Sequence, residues 1–366
     1  MLLLFLACSS PPPTFIDKAG IDKEIPRANT VAICAGMAMK DAGTRGYAAE
    51  KIATWKPAQD CACDHLQRDG SWDGPVLRGL KQATDDKTAG CVAALLDQPA
   101  LPDRAALVST IASMKVPMVQ ARLAVAAKTD ADPAVRAAAM VALRPDKDAA
   151  ARELVISALA DGNALVRAGA AKALSGVDEA ASALSGATKD SDPGVRAAAL
   201  VSLKAIESFA FADVACSLLS TDPDATVRAT AAATMQGTRD QTMFTCLGTH
   251  MATKEESGEV RMAMLTTLRK STSQASSDIL CDAIPFWTRT YVGDGPVDRD
   301  SDIDIVGAQN ARDFNRSYEC VEKAWKAGSY SCWQKGYLAD YYRDLGGKVG
   351  VPKCGGGTRI SNEVSF

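Results

Sequence analysis

Twelve residues decide the fold: DPAVRAAAMVAL, from Asp132 to Leu143, which returns sixty residues later as DPGVRAAALVSL, from Asp192 to Leu203. Nine of the twelve positions are identical. Weaker copies repeat the central Val–Arg pair every 29 to 33 residues, at Val135-Arg136, Val166-Arg167, Val195-Arg196, Val227-Arg228 and Val260-Arg261. A fixed period in this range indicates a repeat architecture.

Each repeat is predicted to be a pair of helices. In the two strongest copies an aspartate, Asp132 or Asp192, stands at the N-cap of the second helix, and a proline follows at its first position. An N-cap carboxylate accepts hydrogen bonds from backbone N–H groups that have no partner inside the helix, and proline lacks that donor. Apolar residues then recur at helical spacing, and only a neighbouring copy can cover the face that they form. The predicted fold class is therefore all-α, an α-solenoid of stacked helix pairs.

The phrase D-P-x-V-R-x-x-A resembles HEAT repeats, in particular the short repeats of phycobilin-lyase-like proteins, and the resemblance covers residues 115–270. It implies that the recurring arginines are structural and pair with an aspartate or a backbone group of the adjacent repeat. An arginine fork suits a carboxylate because it can bond both oxygens. A line of arginines that binds anions is the alternative. The residues of the implied structural ladder are Asp132, Arg136, Arg167, Asp192, Arg196, Arg228 and Arg261.

The flanks differ from the repeats in composition. We expect the repeat solenoid to span residues 86–290, because the helical pattern and the Val–Arg period lie within that range. Residues 15–85 and 291–366 contain cysteines and further helical segments. Since the ends of a solenoid need a polar outer face, these segments are predicted to be helical caps held by disulfides.

The first residues, MLLLFLACSS, resemble the end of a bacterial lipoprotein signal peptide, in which cleavage occurs before a cysteine that carries lipid. The resemblance implies a signal peptide at 1–7, lipidation of Cys8 and a tether at 8–14. It places the protein in the bacterial cell envelope, lipid-anchored to a membrane on the periplasmic or surface side. The sequence departs from the pattern because no Lys or Arg precedes a short apolar run. An ordinary cleaved signal and a cytosolic chain are the alternatives.

The remaining ten cysteines are even in number, so an oxidising compartment would allow up to five disulfides and leave no free thiol. Two bridges are expected at short range, Cys320–Cys332 across a Gly-Ser turn and Cys216–Cys246 between first helices of neighbouring repeats. The candidate disulfide cysteines are Cys34, Cys61, Cys63, Cys91, Cys216, Cys246, Cys281, Cys320, Cys332 and Cys354.

The cluster CACDH, from Cys61 to His65, could hold a metal, but its C-x-C-x-H spacing does not match a zinc site and no fourth ligand is identifiable. Since Cys34 and Cys91 flank the cluster in sequence, two disulfides are the simpler interpretation. We therefore expect no metal here.

The acidic stretch DRDSDID at 298–304 alternates carboxylates as calcium loops do. It lacks the glycine and the final glutamate of an EF-hand loop, which favours a solvated acidic loop over a calcium site. Near the C-terminus, Trp333, Tyr337 and Tyr341 share one helical face, and we expect them to form the core of the second cap. A binding patch is the alternative, because aromatic residues are enriched at interface anchors.

The net charge and the sequence motifs limit the classes of function that are expected. Lys and Arg number 41 against 44 Asp and Glu, and no long basic block occurs, so nucleic acid is not an expected partner. The only histidines are His65 and His250, which leaves no histidine-based metal centre. No phosphate loop, dinucleotide fingerprint or serine-nucleophile elbow is present, so no cofactor is expected.

These observations favour a non-catalytic protein that binds or scaffolds another envelope protein on the extended surface of its repeats. The alternative is an enzyme or a chaperone for cofactor attachment, which the resemblance to phycobilin-lyase-like repeats implies. A buried, charged cleft lined by acids with perturbed pKa values would favour the alternative. A smooth repeat face would favour the binding protein.

Overall fold

The computed structural model describes residues 15–55, 59–69, 74–101, 103–114, 116–208, 210–292, 304–326 and 329–349. The proposed signal peptide and tether, most of the acidic stretch and Cys354 lie outside these ranges. Within them all regular structure is helical, in α-helices and short 3₁₀ turns. The chain forms two compact units, unit 1 (Met1–Leu174) and unit 2 (Ser175–Phe366).

Unit 1 is built from two stacked layers of helices. The helices α3, α5, α7, α9 and α11 pack side by side in one layer, and α4, α6, α8 and α10 pack in the other. The bounds are α1 (Lys18–Glu24), α2 (Thr30–Ala35), α3 (Ala42–Thr54), α4 (Gln59–Asp69), α5 (Gly74–Leu80), α6 (Asp86–Ala94), α7 (Arg104–Ser113), α8 (Pro117–Thr129), α9 (Pro133–Ala142), α10 (Ala149–Ser157) and α11 (Ala164–Ala173).

Unit 2 repeats this arrangement. The helices α13, α15, α17 and α19 form one layer, α14, α16, α18 and α20 form the other, and α21 packs on α20. The bounds are α12 (Ala181–Ala187), α13 (Pro193–Ala205), α14 (Phe211–Thr221), α15 (Ala225–Thr234), α16 (Gln241–Met251), α17 (Gly258–Lys270), α18 (Gln274–Tyr291), α19 (Ile305–Arg312), α20 (Phe314–Lys326) and α21 (Cys332–Asp344). The layer that carries the Val–Arg pairs is called the Val–Arg layer in each unit. The predicted all-α solenoid is confirmed.

The repeated phrase forms the start of five helices, as predicted: α9, α11, α13, α15 and α17. The Asp132 carboxylate accepts from the backbone N–H of Ala134 at 2.8 Å, and Asp192 accepts from Val195 at 3.1 Å. The valine of every Val–Arg pair is fully buried, at positions 135, 166, 195, 227 and 260. Each repeat therefore inserts one branched aliphatic side chain into the space between the layers, next to the arginine that follows it.

Helix stacking continues on both sides of residues 86–290. In unit 1, α3 crosses α5 so closely that a Cβ on Gly79 would lie 2.4 Å from the carbonyl oxygen of Gly46. Only glycine permits this approach of two helix backbones. In unit 2, α19 packs on α17, and α20 packs on α18. The segments assigned to the caps thus contribute helices to the same layers as the repeats.

Three disulfides join helices near the ends of the described chain. Cys34 bonds to Cys61 and Cys63 bonds to Cys91, so the CACDH cysteines are used in two bridges. The expected Cys320–Cys332 bridge is wrong, because Cys320 bonds to Cys281 across the neighbouring helices α18 and α20, with Cα atoms 5.0 Å apart. Cys332 belongs to another disulfide. The pairing follows from the packing of α18 against α20 in one layer. The sequence separation between the cysteines does not reveal that packing.

The expected Cys216–Cys246 bridge and the expected absence of free thiols also differ from the structure. Cys216 and Cys246 are both unbonded and half-buried. They nevertheless lie on α14 and α16, first helices of neighbouring repeats, and their side chains are in contact.

Candidate functional site

Arg196 shows how the recurring arginine is used. It lies in the first turn of α13, and its Nη1 donates to the backbone carbonyls of Asp190 at 2.9 Å and Ser191 at 3.1 Å in the loop before that helix. Its Nε and Nη2 donate to the two carboxylate oxygens of Asp222, both at 2.7 Å. Asp222 follows α14 of the next repeat. One guanidinium therefore fixes its own loop and bonds the next repeat bidentately.

The next repeat continues the pattern. Arg228 donates from Nη1 to the carbonyl of Asp222 at 2.9 Å, and from Nε and Nη2 to the Glu255 carboxylate at 2.9 and 2.8 Å. Arg261 then donates to the carbonyl of Glu255 at 2.6 Å. Its guanidinium stacks on the ring of Tyr291, 4.6 Å from the centroid. The polar chain in unit 2 thus runs unbroken from Arg196 to Arg261, and we call it the arginine ladder.

Unit 1 contains the same ladder. Arg104 pairs with the Asp130 carboxylate. Arg136 donates to the carbonyl of Asp130 at 3.0 Å and to the carboxylate of Asp161 at 3.3 Å. Arg167 donates to the carbonyl of Asp161 at 2.9 Å. The Nη1 bond to a loop carbonyl thus recurs in both units, whereas Arg136 reaches its carboxylate through Nη2 alone.

The acids of the ladder were missed by sequence reasoning. Asp132 and Asp192, which were predicted to belong to the ladder, cap helices instead. The carboxylates of the ladder come two residues earlier, and each also accepts from the N–H of the capping residue, as Asp222 does from Asp224 at 2.9 Å. The equivalent acids are Asp130, Asp161, Asp190, Asp222 and Glu255, each six residues before a recurring arginine. That constant offset is visible in the sequence and could have identified them.

The carboxylates of the ladder in unit 2 are buried and ionised. The side chain of Glu255 is 4% exposed, and that of Asp222 is 3% exposed. Burial would raise the pKa of Glu255, but hydrogen bonds from Arg228 and the Ser257 N–H outweigh it and lower this pKa to about 2. The pKa of Asp222 is lowered in the same way, by Arg196 acting against burial. These acids are perturbed by ion pairing inside the fold, not by a cleft that a substrate enters.

Other candidate residues are also used in packing. His250 joins the ladder, with Nε2 3.3 Å from Oε2 of Glu255. His65 lies on α4, next to the disulfide cysteines. Asp304, the last residue of the acidic stretch, is buried and accepts hydrogen bonds from the hydroxyls of Tyr337, at 2.5 Å, and Tyr341. The two tyrosines are buried, as expected of a cap core.

The part of the chain that the structure describes contains no group of three or more His, Cys, Asp or Glu side chains arranged to hold a metal ion. Over the same residues, no helix is both long and apolar enough to cross a membrane.

The exposed face of the Val–Arg layer is the remaining candidate surface. The residue five positions after each recurring arginine points away from the ladder and is exposed or half-buried. These residues are Val141, Lys172, Val201, Ala233 and Thr266. In unit 1, Val141 on α9 is 51% exposed, and Leu165 on the neighbouring α11 is 61% exposed. Two large aliphatic side chains therefore face solvent on adjacent helices, Val141 near the end of α9 and Leu165 near the start of α11, two residues before Arg167.

Comparison with known proteins bears on the repeats. Residues 119–204 and 153–236 match the family described as HEAT repeats, and the matched residues run from α8 to the end of α15. The crystal structure of an engineered protein, a Northeast Structural Genomics Consortium target, aligns with 90% of this chain and 91% of its own. It has 18% sequence identity and a TM-score of 0.32. No curated protein matches the chain significantly.

The ladder predicts the effect of removing one arginine. Arg196→Ala should lower the free energy of unfolding by about 1–3 kcal/mol, because it leaves the buried Asp222 carboxylate without its main partner. Thermal and urea unfolding measure the change. Arg269→Ala, on an exposed position of α17, is the matched control and should stay within about 0.5 kcal/mol of the wild type. Equal melting temperatures for Arg196→Ala and the wild type would contradict the structural role.

The lowered pKa of Glu255 predicts a pH dependence. Its contribution to stability is present above the ordinary glutamate pKa of 4.5 and is lost as the pH falls towards about 2. Glu255→Gln should therefore be less stable than the wild type at neutral pH and show a flatter loss of stability between these pH values. Glu256→Gln, in which a side chain that is 78% exposed is changed, is the control and should follow the wild-type curve. Parallel curves for Glu255→Gln and the wild type would exclude the proposed ionisation.

Proposed function

The chain is a HEAT-repeat protein, as the Val–Arg phrase predicted, and from this premise we propose that it binds another protein on its Val–Arg layer and does not catalyse a reaction. HEAT repeats suggest a role in protein binding or scaffolding. Stacked repeats offer an extended surface that a folded partner can contact at several points. The proposal concerns which surface is used and what kind of partner fits it.

The observation that carries the proposal is the pair of exposed aliphatic side chains on adjacent helices of unit 1. Val141 and Leu165 lie on α9 and α11, which pack side by side, and both are more than half exposed. The arginines of the same helices are turned into the ladder and bond Asp130 and Asp161. The arginines of these helices are therefore engaged within the fold, and the face left for a partner is apolar apart from Lys172.

This chemistry limits the partner. An apolar contact centre with a polar rim is the usual anatomy of a protein interface. Lys172, exposed on α11 near the same face, supplies a cation at the rim. A complementary partner is a protein that presents aliphatic or aromatic side chains, with a carboxylate placed to meet Lys172.

The alternative, an enzyme or a chaperone for cofactor attachment, gains no specific support. Acids with strongly lowered pKa values would mark a catalytic cleft if they faced a cavity. In the described part of the chain, Asp222 and Glu255 face arginines of the ladder instead. Their perturbation therefore has a structural cause.

The location of the protein is a separate part of the proposal. We infer a lipid anchor at Cys8 from the apolar run and the Ser-Pro tether around it, which lie outside the described residues. Disulfides form and persist in oxidising compartments, so the bridges Cys34–Cys61, Cys63–Cys91 and Cys281–Cys320 support export. The partner would then be a protein of the bacterial envelope.

The docking surface is tested by site-specific crosslinking. A photoreactive amino acid in place of Leu165 should give one discrete adduct in envelope preparations of the producing cells. The same amino acid in place of Val125, which is 52% exposed on α8 of the other layer, should give none. With the purified partner, Leu165→Asp should weaken binding by at least about tenfold, since a buried unpaired charge opposes association, and Val125→Asp should not. Equal adducts at both positions, or equal affinities, would contradict the assigned surface.

The lipid anchor is tested by substitution of its cysteine. Cys8→Ala should move the protein from the membrane fraction to the soluble fraction or leave its signal uncleaved. The variant lacks the cysteine that would carry the acyl chains, and stable anchoring needs two or more of them. The melting temperature should not change, since position 8 lies before the first described helix. Fractionation, mass spectrometry and a thermal melt measure the three outcomes. A wild-type protein that is soluble and carries no lipid would rule out the anchor without affecting the docking surface.

A further inference from the structure

Two thiols of neighbouring repeats meet in unit 2. Cys216 lies in the middle of α14, and Cys246 lies in the middle of α16, the next helix in the same layer. The two side chains are in hydrogen-bond contact, and Sγ of Cys216 is 3.9 Å from the carbonyl oxygen of Thr242. Both residues are half-buried, so small solutes can approach from the solvent side.

The pair differs from the other cysteines that the structure describes. Cys216 and Cys246 are thiols, whereas the rest of that set is disulfide-bonded: Cys34, Cys61, Cys63, Cys91, Cys281, Cys320 and Cys332. The bonded cysteines lie on helices towards the two ends of the described chain. Cys216 lies inside the region that matches HEAT repeats, and Cys246 lies on the first helix after that region.

The surroundings keep the reduced pair protonated. Burial raises the pKa of Cys216 and also that of Cys246. The thiolate is the form that attacks a disulfide, so these thiols react slowly at neutral pH. Oxidation then depends on the concentration and strength of the oxidant that reaches them. The reduced form is also satisfied locally, because each sulfur has a hydrogen-bonding neighbour.

We propose that Cys216 and Cys246 are a reversible redox pair that closes to a disulfide between neighbouring repeats and reopens, while the bridges near the chain ends stay closed. The co-reactant is a low-molecular-mass disulfide such as oxidised glutathione. One cysteine, as its thiolate, attacks this disulfide, forms a mixed disulfide and releases one small thiol. The second cysteine then attacks the mixed disulfide and releases the other small thiol. Two protein S–H groups and one small disulfide become one protein disulfide and two small thiols.

Formation of the Cys216–Cys246 disulfide would constrain the same repeats that the arginine ladder joins. Cys216 precedes the ladder acid Asp222 on the same helix and loop, and Cys246 precedes Glu255 in the next repeat. A disulfide between α14 and α16 would therefore join the first helices of two neighbouring repeats. The second helices of these repeats, α15 and α17, are already linked by the hydrogen bonds of Arg228 to Glu255. The pair would set how far these repeats can move apart, whether or not the proposed docking surface is correct.

The experiment uses the full chain in glutathione buffers of graded ratio, followed by acid quenching, alkylation with N-ethylmaleimide under denaturing conditions and peptide mapping by mass spectrometry. Oxidised glutathione should produce a linked peptide that contains Cys216 and Cys246. Reduced glutathione should reopen it at ratios that leave Cys34–Cys61, Cys63–Cys91 and Cys281–Cys320 intact. The melting temperature of the oxidised protein should exceed that of the reduced protein by several degrees.

Variants that keep only one of the two cysteines distinguish a redox pair from two thiols that react independently. Cys246→Ser should trap glutathione on Cys216 as a stable mixed disulfide, and Cys216→Ser should trap it on Cys246. Circular dichroism confirms that each variant is folded, and the wild-type titration requires no variant. The proposal is overturned if both thiols are alkylated at every glutathione ratio, or if their bond opens only together with the three bridges near the chain ends.

Discussion

The structure depends on one constraint: each recurring arginine bonds the loop of its own repeat, and Arg136, Arg196 and Arg228 also bond a carboxylate of the next repeat. Arg228 shows the full set, with the carbonyl of Asp222 on one side and the Glu255 carboxylate on the other. The acid in turn accepts from the N–H of its own capping region, as Asp222 does from Asp224. The loop before α15 is therefore held both by Arg228 of its own repeat and by Arg196 of the preceding repeat. Loop shape and repeat stacking are parts of the same polar network, which is stronger in a water-poor environment than its separate bonds.

Each repeat carries an arginine and an acid, and this arrangement explains why few charged side chains remain on the face that is open to a partner. The arginines near the start of the helices α9, α11, α13, α15 and α17 are directed into the ladder. The positions five residues later carry Val141, Lys172, Val201, Ala233 and Thr266. Solenoid repeats contact only their neighbours, so the same exposed position recurs at each step. In unit 2 this position holds Val201, Ala233 and Thr266, so a partner meets an uncharged side chain at each step there. The half-buried thiols Cys216 and Cys246 lie in the other layer of unit 2.

The sequence predicted the helix pairs because the signals are local: a capping acid, a proline and an apolar stripe repeat within a short phrase. It predicted the use of Cys61 and Cys63 in disulfides because Cys34 and Cys91 flank them at similar separations. It failed for Cys320, whose partner Cys281 becomes its neighbour only when α18 and α20 stack. The ladder acids were not predicted because Asp132 and Asp192 already have a local signal as helix caps, although an acid lies six residues before each recurring arginine. The exposed face could not be derived at all, since exposure depends on how neighbouring helices rotate against each other.

The most direct test of the central constraint is a double-mutant cycle on Arg228 and Glu255, using Arg228→Ala, Glu255→Ala and the double variant. If the ladder couples loop and stacking, the interaction free energy from urea unfolding should be about 1–3 kcal/mol, as for residues of one hydrogen-bonded network. The surface pair Lys254–Glu256 is the reference, with side chains 62% and 78% exposed and an expected coupling below about 1 kcal/mol. A coupling for Arg228 and Glu255 no larger than that of the surface pair would contradict the account.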